Sequence, residues 1–276
     1  MEQIAALGLD LACAAIDLAC AALQGQINAN STLFTLSHMQ SLNLAFNDFS
    51  NSHIPSPIGQ FVHLTHLNLS SSNFEGEIPP QISHPPTKGT SEPFRKIPTN
   101  FVIIDLSGNK FEGEIPNAIG ELQALIGLNL SHNRLSGPIP QSMGNLINLE
   151  SLDLSSNMLT GRIPTELVNM KFLEVLNLSY NNLVGEIPQG KQFGSFMNDS
   201  YEGNLGLCGV PLSVKCREEH DQHSPLSLTL WMEEKFGFGL EAVAIGYGCG
   251  MVFGVVMGSF VFPIGKPKFL VRMFGG

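Results

Sequence analysis

The chain has 276 residues, 43% of them apolar and 14% charged, with a formal net charge of −10. That acidity argues against nucleic acid as a partner, because phosphate binding needs a Lys/Arg surface. The cysteines fall as Cys13 and Cys20, Cys208 and Cys216, and Cys249, none with histidine at metal-ligand spacing.

A repeating phrase organises the first two-thirds of the chain. A degenerate copy opens it: Ile16, Leu18, Leu23, Gly25 and Ile27. Next come Met39, Leu42, Leu44, Asn47 and Phe49, then Leu64, Leu67, Leu69, Phe74, Gly76, Ile78 and Pro79, with Ser72 where asparagine is expected. The following phrase, His84-Pro-Pro-Thr-Lys-Gly-Thr-Ser-Glu-Pro93, is turn-forming, and it predicts a break in the repeat array between 84 and 100. Beyond it the beat is strict. Phe101, Ile104, Leu106, Asn109, Phe111, Gly113, Ile115 and Pro116 return 24 residues later as Leu125, Leu128, Leu130, Asn133, Leu135, Gly137, Ile139 and Pro140. Two further copies begin at Leu149 and Leu173. A fixed period of this length is the mark of a solenoid.

Each part of the repeat has a physical reading. The Leu-x-Leu core alternates with period two, so it predicts a short strand with its leucines inward. The asparagine is expected to be buried at a turn, bonding backbone groups of its own coil and its neighbour. The glycine permits a tight backbone, and Ile-Pro leads into an extended second segment. No coil buries enough surface to fold alone, so stacking must supply the rest. The fold expected is a leucine-rich-repeat solenoid of short parallel strands with extended and 3-10 convex segments. Degenerate repeats occupy 1–84, the break 85–100 and four regular repeats 101–188.

The beat ends after Pro188. Residues 189–216 read as a C-terminal cap, stapled by Cys208 and Cys216 in an oxidising compartment; the alternative is two free thiols. Residues 217–239 read as an acidic juxtamembrane stalk. No charged residue occurs over 242–265, a run of 24, so 240–265 is expected to form one transmembrane helix. Lys266, Lys268 and Arg272 follow, which places the tail 266–276 in the cytoplasm. Gly246, Gly250, Gly254 and Gly258 recur every four residues and make a smooth face where a second helix can approach.

Asn-x-Ser/Thr triplets at Asn30, Asn68, Asn129, Asn177 and Asn198 are candidate glycosylation sites. Asn68, Asn129 and Asn177 share one coil position, pointing outward from the concave sheet. Phe46, His66, His132 and Tyr180 flank the strands as candidate ligand contacts. No phosphate loop, kinase motif set or Gly-x-Ser-x-Gly elbow occurs, so neither an enzyme nor a cofactor is expected.

Five phrases resemble the plant leucine-rich-repeat receptor-like proteins of the pathogen-resistance class. They are Ile104-Asp-Leu-Ser-Gly-Asn-Lys-Phe-Glu-Gly-Glu-Ile-Pro116, Gly190-Lys-Gln-Phe193, Asn198-Asp-Ser-Tyr-Glu-Gly-Asn-Leu-Gly-Leu-Cys-Gly209, Gly246-Tyr-Gly-Cys-Gly250, and Gly265-Lys-Pro-Lys268 through Val271-Arg-Met273. The resemblance implies a single-pass plasma-membrane receptor without a kinase, with its repeats extracellular. Such a protein senses an extracellular peptide, protein or carbohydrate and signals through a partner receptor-like kinase. The glycine stripe at 246–258 is similar to the face that engages the adaptor kinase.

The sequence departs from that class in lacking a basic secretion start and a Cys- and Trp-containing N-terminal cap, and in its short array. It therefore reads as a truncated or internally deleted member. Two other readings stand beside the receptor. One is a non-sensing decoy or remnant that engages kinases only through its membrane helix. The other is a secreted repeat inhibitor of a wall-degrading enzyme, which the apolar run at 242–265 opposes.

Overall fold

The computed structural model describes residues 15–36, 38–83, 101–190 and 192–216. Among these residues thirteen short strands follow in chain order. They are β1 Ala15–Asp17, β2 Ser41–Asn43, β3 His66–Asn68, β4 Glu75–Glu77, β5 Ile103–Asp105, β6 Lys110–Glu114, β7 Gly127–Asn129, β8 Arg134–Pro138, β9 Ser151–Asp153, β10 Met158–Gly161, β11 Val175–Asn177, β12 Asn182–Glu186 and β13 Gly206–Cys208. They form two parallel sheets. The concave sheet runs β1-β2-β3-β5-β7-β9-β11, and the second runs β13-β12-β10-β8-β6-β4.

The pairing register shows why the repeat specifies this arrangement. Leu42, Leu67, Ile104, Leu128, Leu152 and Leu176 align as direct partners across the concave sheet, each buried at the centre of a three-residue strand. A one-residue slip would turn that whole column outward, so burial fixes the register. The extended segment after each asparagine becomes a strand of the second sheet, with Phe74, Phe111, Leu135, Leu159 and Leu183 buried beneath it. Phenylalanines of adjacent coils pack ring to ring there: Phe74 and Phe111 stack with centroids 6.3 Å apart, and Phe49 meets Phe74 at a tilt, 5.3 Å away.

The convex side is built from 3-10 turns at Ser56–Gln60, Pro80–Ile82, Asn117–Glu121, Gln141–Asn145 and Thr165–Asn169. Each is preceded by a proline with extended backbone, φ between −60 and −70: Pro55, Pro79, Pro116, Pro140 and Pro164. Proline's fixed φ suits that entry position, and the isoleucine before it points into the core. The turns stack so closely that a side chain cannot fit between some of them. A Cβ on Gly144 would lie 2.5 Å from the backbone oxygen of Glu166, and one on Gly120 would collide with that of Ser142.

Two sequence expectations need correction. The predicted break between 84 and 100 does not interrupt the solenoid, because β3 pairs directly with β5 and β4 with β6. A step of 37 residues in place of 24 leaves the register intact, since loop closure costs little extra for a longer loop. The residues inserted there lie outside the described ones. The coil pattern also does not stop at Pro188. Residues Asn198–Tyr201 form a 3-10 turn, and β13 extends the second sheet by one strand. Ser200 and Glu202 accept hydrogen bonds from the N–H groups of Leu178 (2.7 Å) and Tyr180 (2.6 Å), which the last full coil would otherwise leave open.

Cys208 and Cys216 are disulfide-bonded, and within the loop they close Gly209 N–H donates to Val214 O at 2.8 Å. The stalk at 217–239, the membrane helix at 240–265 and the tail at 266–276 all fall outside the described residues. Among the described residues no helix is long and apolar enough to cross a membrane.

The turn stacking gives a test with an internal control. Gly144→Ala is expected to lower stability by about 1–3 kcal/mol through overpacking against the next coil. Gly194→Ala, whose Cβ would meet nothing within 4 Å, is expected to stay within about 0.5 kcal/mol of the parent. Thermal unfolding followed by circular dichroism reads both, and equal melting temperatures would refute the close-stacking account.

Candidate functional site: the concave sheet and its rim

Strand alternation leaves a row of outward side chains on each coil of the concave sheet. From β2 to β11 the rows read Gln40-Ser41-Asn43, Thr65-His66-Asn68, Val102-Ile103-Asp105, Ile126-Gly127-Asn129, Glu150-Ser151-Asp153 and Glu174-Val175-Asn177. The last residues of the rows form one column of Asn and Asp. Each takes the backbone N–H two residues on, as Asp105 Oδ1 does from Ser107 (3.0 Å) and Asp153 Oδ1 from Ser155 (2.9 Å). Ser107 and Ser131 add hydroxyl bonds to Asp105 Oδ1 (2.7 Å) and Asn129 Oδ1 (2.8 Å). These Asx turns fix the direction in which the chain leaves each strand.

Three of the five sequon asparagines lie in that column: Asn68, Asn129 and Asn177, all half-buried. Asn177 Nδ2, the atom that would carry a glycan, donates to Asp153 Oδ2 at 3.3 Å. Asn30 and Asn198 lie elsewhere and are exposed, Asn30 in a turn and Asn198 at the start of the cap's 3-10 turn.

The rim of the sheet has a feature that sequence reading missed. The residue before each asparagine that bonds the preceding coil, or before Ser72, adopts left-handed backbone: Phe46 (φ 57), Ser71 (φ 50), Gly108 (φ 64), His132 (φ 54), Ser156 (φ 54), Tyr180 (φ 54) and Gly203 (φ 79). Residue types vary so widely there that only Gly108 and Gly203 signal the conformation in the sequence. Three of the four candidate ligand residues, Phe46, His132 and Tyr180, thus share one column and are exposed. His66 stands apart on β3, with its Nδ1 2.8 Å from Thr65 Oγ1.

Tyr180 is already engaged. The charge of Glu202 and a hydrogen bond to it from the phenol raise the Tyr180 pKa above the usual tyrosine range. Its ring lies over Gly203, where an added Cβ would come within 2.8 Å of the ring carbon Cδ1. The neighbouring Tyr201 is buried at 1% exposure, and burial holds its phenol well above the usual range. Among the described residues no group of three His, Cys, Asp or Glu is placed to hold a metal ion. The glycine stripe at 246–258 falls outside the described residues.

A left-handed backbone costs a non-glycine residue roughly 1–2 kcal/mol, and glycine's extra chain entropy offsets roughly 0.5–1 kcal/mol of any gain. His132→Gly is therefore expected to raise stability by about 0.5–1 kcal/mol, measured by chemical denaturation. A destabilised variant would mean that the imidazole makes contacts that outweigh the strain.

Comparison with known proteins accords with this geometry. Residues 99–159 match the family described as Leucine rich repeat, and residues 147–189 that described as Leucine Rich repeats (2 copies). Residues 63–85 and 35–52 match two further leucine-rich-repeat families. Receptor-like protein 6 of Arabidopsis thaliana is 48% identical over 71 residues, covering 26% of this chain and 6% of that protein. Receptor-like protein Cf-9 of Solanum pimpinellifolium is 39% identical over 87 residues, covering 31% of this chain and 10% of that protein. The matched region thus spans a tenth or less of either relative. Among solved structures, the Arabidopsis receptor kinase HAESA in complex with the peptide hormone IDA and the co-receptor SERK1 is similar at TM-score 0.52 and 33% identity, over 71% of this chain and 34% of that one. The chain is thus built of leucine-rich repeats and is similar, over these stretches, to plant receptor-like proteins.

Proposed function

We propose that the protein is a single-pass cell-surface receptor-like protein, which senses an extracellular, pathogen-derived ligand and signals through partner receptor-like kinases in plant defence. The observation that carries this reading is the open concave sheet. Its inward column repeats leucine or isoleucine from coil to coil, while the outward rows differ in charge, size and polarity. A surface that varies on an invariant frame is what ligand discrimination requires.

The other parts of the reading rest on the sequence and on likeness. The charge-free run at 242–265 would hold the solenoid at a membrane. The glycines at 246, 250, 254 and 258 would let a kinase partner's helix approach within that membrane. The HAESA structure supports the partner classes, since a related solenoid there holds a peptide and a co-receptor together. Carboxylates, amides and apolar side chains on the concave rows suit a peptide or protein ligand.

Surface biotinylation and deglycosylation of the full chain in plant cells test location. The expected result is a labelled band that shifts on glycosidase treatment. Co-purification tests signalling partners: receptor-like kinases should be recovered with the parent and lost with Gly250→Leu/Gly254→Leu. A chain that is neither labelled nor shifted, or that retains its kinases after both leucine substitutions, would overturn the corresponding part of the proposal.

A further inference from the structure

Charge is segregated on this solenoid. The lysines and arginines among the described residues are Lys110, Arg134, Arg162, Lys171 and Lys215. Lys110 and Arg134 are on the second sheet, Arg162 directly follows its strand β10, Lys171 follows a convex 3-10 turn, and Lys215 is in the cap loop. None occupies a concave row. The rows on β5, β9 and β11 instead hold Asp105, Glu150, Asp153 and Glu174, with Glu202 exposed at the neighbouring cap.

The arrangement of these acids is specific. Glu150 and Glu174 are both exposed and sit on consecutive coils, joined by the hydrogen bond from Glu174 N–H to Glu150 O at 2.8 Å. Adjacent parallel strands lie about 4.8 Å apart, so the two acidic side chains leave the sheet from neighbouring positions. Apolar side chains flank them on both sides: Ile103 (44% exposed) and Ile126 (38%) on the earlier coils, and Val175 (55%) on the last. Gly127 leaves a notch between them, where an added Cβ would meet only the Ile103 side chain, at 3.8 Å. That face therefore offers an apolar floor, a notch and a pair of exposed carboxylates with no lysine or arginine on its rows among the described residues.

We infer that this half of the concave face binds an extended peptide segment carrying lysine or arginine beside an aliphatic or aromatic side chain. The inference rests on the sensing role proposed above and gives its ligand a chemistry. A cationic head placed between Glu150 and Glu174 is attracted by both carboxylates, while its methylene stem lies along Val175. A neighbouring apolar side chain fills the notch at Gly127 against Ile103. Anionic glycans, phosphorylated segments and acidic peptides are repelled by the same surface. Because the carboxylates are exposed, the attraction is screened by salt and acts most on the rate of association.

The test is a selection of random twelve-residue phage-displayed peptides on the full chain. The expected outcome is enrichment of sequences rich in Lys and Arg with at least one large apolar residue. Their affinity should fall at least tenfold for Glu150→Lys/Glu174→Lys, by an intermediate factor for Glu150→Gln/Glu174→Gln, and as salt rises. Glu112→Lys on the second sheet serves as the off-face control and should leave affinity unchanged. All variants should melt with the parent, since the substituted side chains are exposed. Enrichment of neutral or acidic peptides that lose binding with Val175→Arg would overturn the cationic inference and leave the sensing face standing. Peptides indifferent to every concave substitution, or no binders at all, would overturn both.

Discussion

At the corner between the two sheets, one amide side chain per coil stands in for backbone pairing that neither sheet can provide. In the regular coils Asn157 Nδ2 donates to Leu154 O of its own coil (3.1 Å) and to Leu130 O of the preceding one (3.0 Å). Its Oδ1 accepts from the N–H of Leu135 at 3.0 Å. Asn133 and Asn181 repeat the pattern, each bonding the coil before it. Without that amide the buried N–H of Leu135 would lose its acceptor, at about 1–3 kcal/mol, while Leu130 O and Leu154 O would keep the bonds that Asn133 and Asn181 donate to them. The left-handed residue before each asparagine belongs to the same device, because it turns the chain so that the amide points inward. Strain at the rim is thus held in place by hydrogen bonds in the interior.

The ladder also shows how the solenoid tolerates irregularity. Ser72, in the asparagine position, keeps the link with its hydroxyl, which is 2.8 Å from Leu44 O of the preceding coil and 3.0 Å from Ser70 O of its own, and accepts from Asn47 N–H at 3.3 Å. The following coil carries the full amide again. Asn109 Oδ1 accepts from both Ser72 and Phe74 N–H, at 3.2 and 2.9 Å, and its Nδ2 reaches back to Leu69 O at 2.8 Å. These bonds join the coils on either side of the 84–100 segment. Because each coil touches only its neighbours, an insertion on one side is a local matter once the corner amide, the leucine column and the phenylalanine stack are in register.

What could be read in the sequence divides along the same line. Whatever recurs with the period was legible: the inward leucines, the corner asparagines, and the proline that opens each convex turn. Features that depend on distances between coils were not. Nothing in the composition of residues 84–100 tells whether the strands beyond them resume pairing. Gly120 and Gly144 read as ordinary turn residues until the next coil's backbone is seen against them. Asn204 escaped notice because it comes 23 residues after Asn181, with Tyr201 in a position that leucine fills elsewhere. The concave charge asymmetry was present in the sequence but invisible as a pattern, since Glu150 and Glu174 acquire meaning only when adjacent strands bring them side by side.

The cap follows from the physics of a one-dimensional stack. A parallel sheet ends in a row of open N–H and C=O groups, and an uncovered edge invites pairing with another chain. Here Asn204 continues the corner ladder by one step, donating to Leu178 O at 2.9 Å and Tyr201 O at 3.0 Å and accepting from Leu183 N–H at 3.0 Å. Ser200 and Glu202 cover the concave edge, and β13 covers that of the second sheet. The leucine interior is closed by Tyr201 and Leu207, both buried. The same segment brings the Glu202 carboxylate to Tyr180, so the end of the hydrophobic stack also shapes the last position on the exposed rim. Closing the interior and setting the chemistry of the concave surface are, at this end of the molecule, carried out by the same few residues.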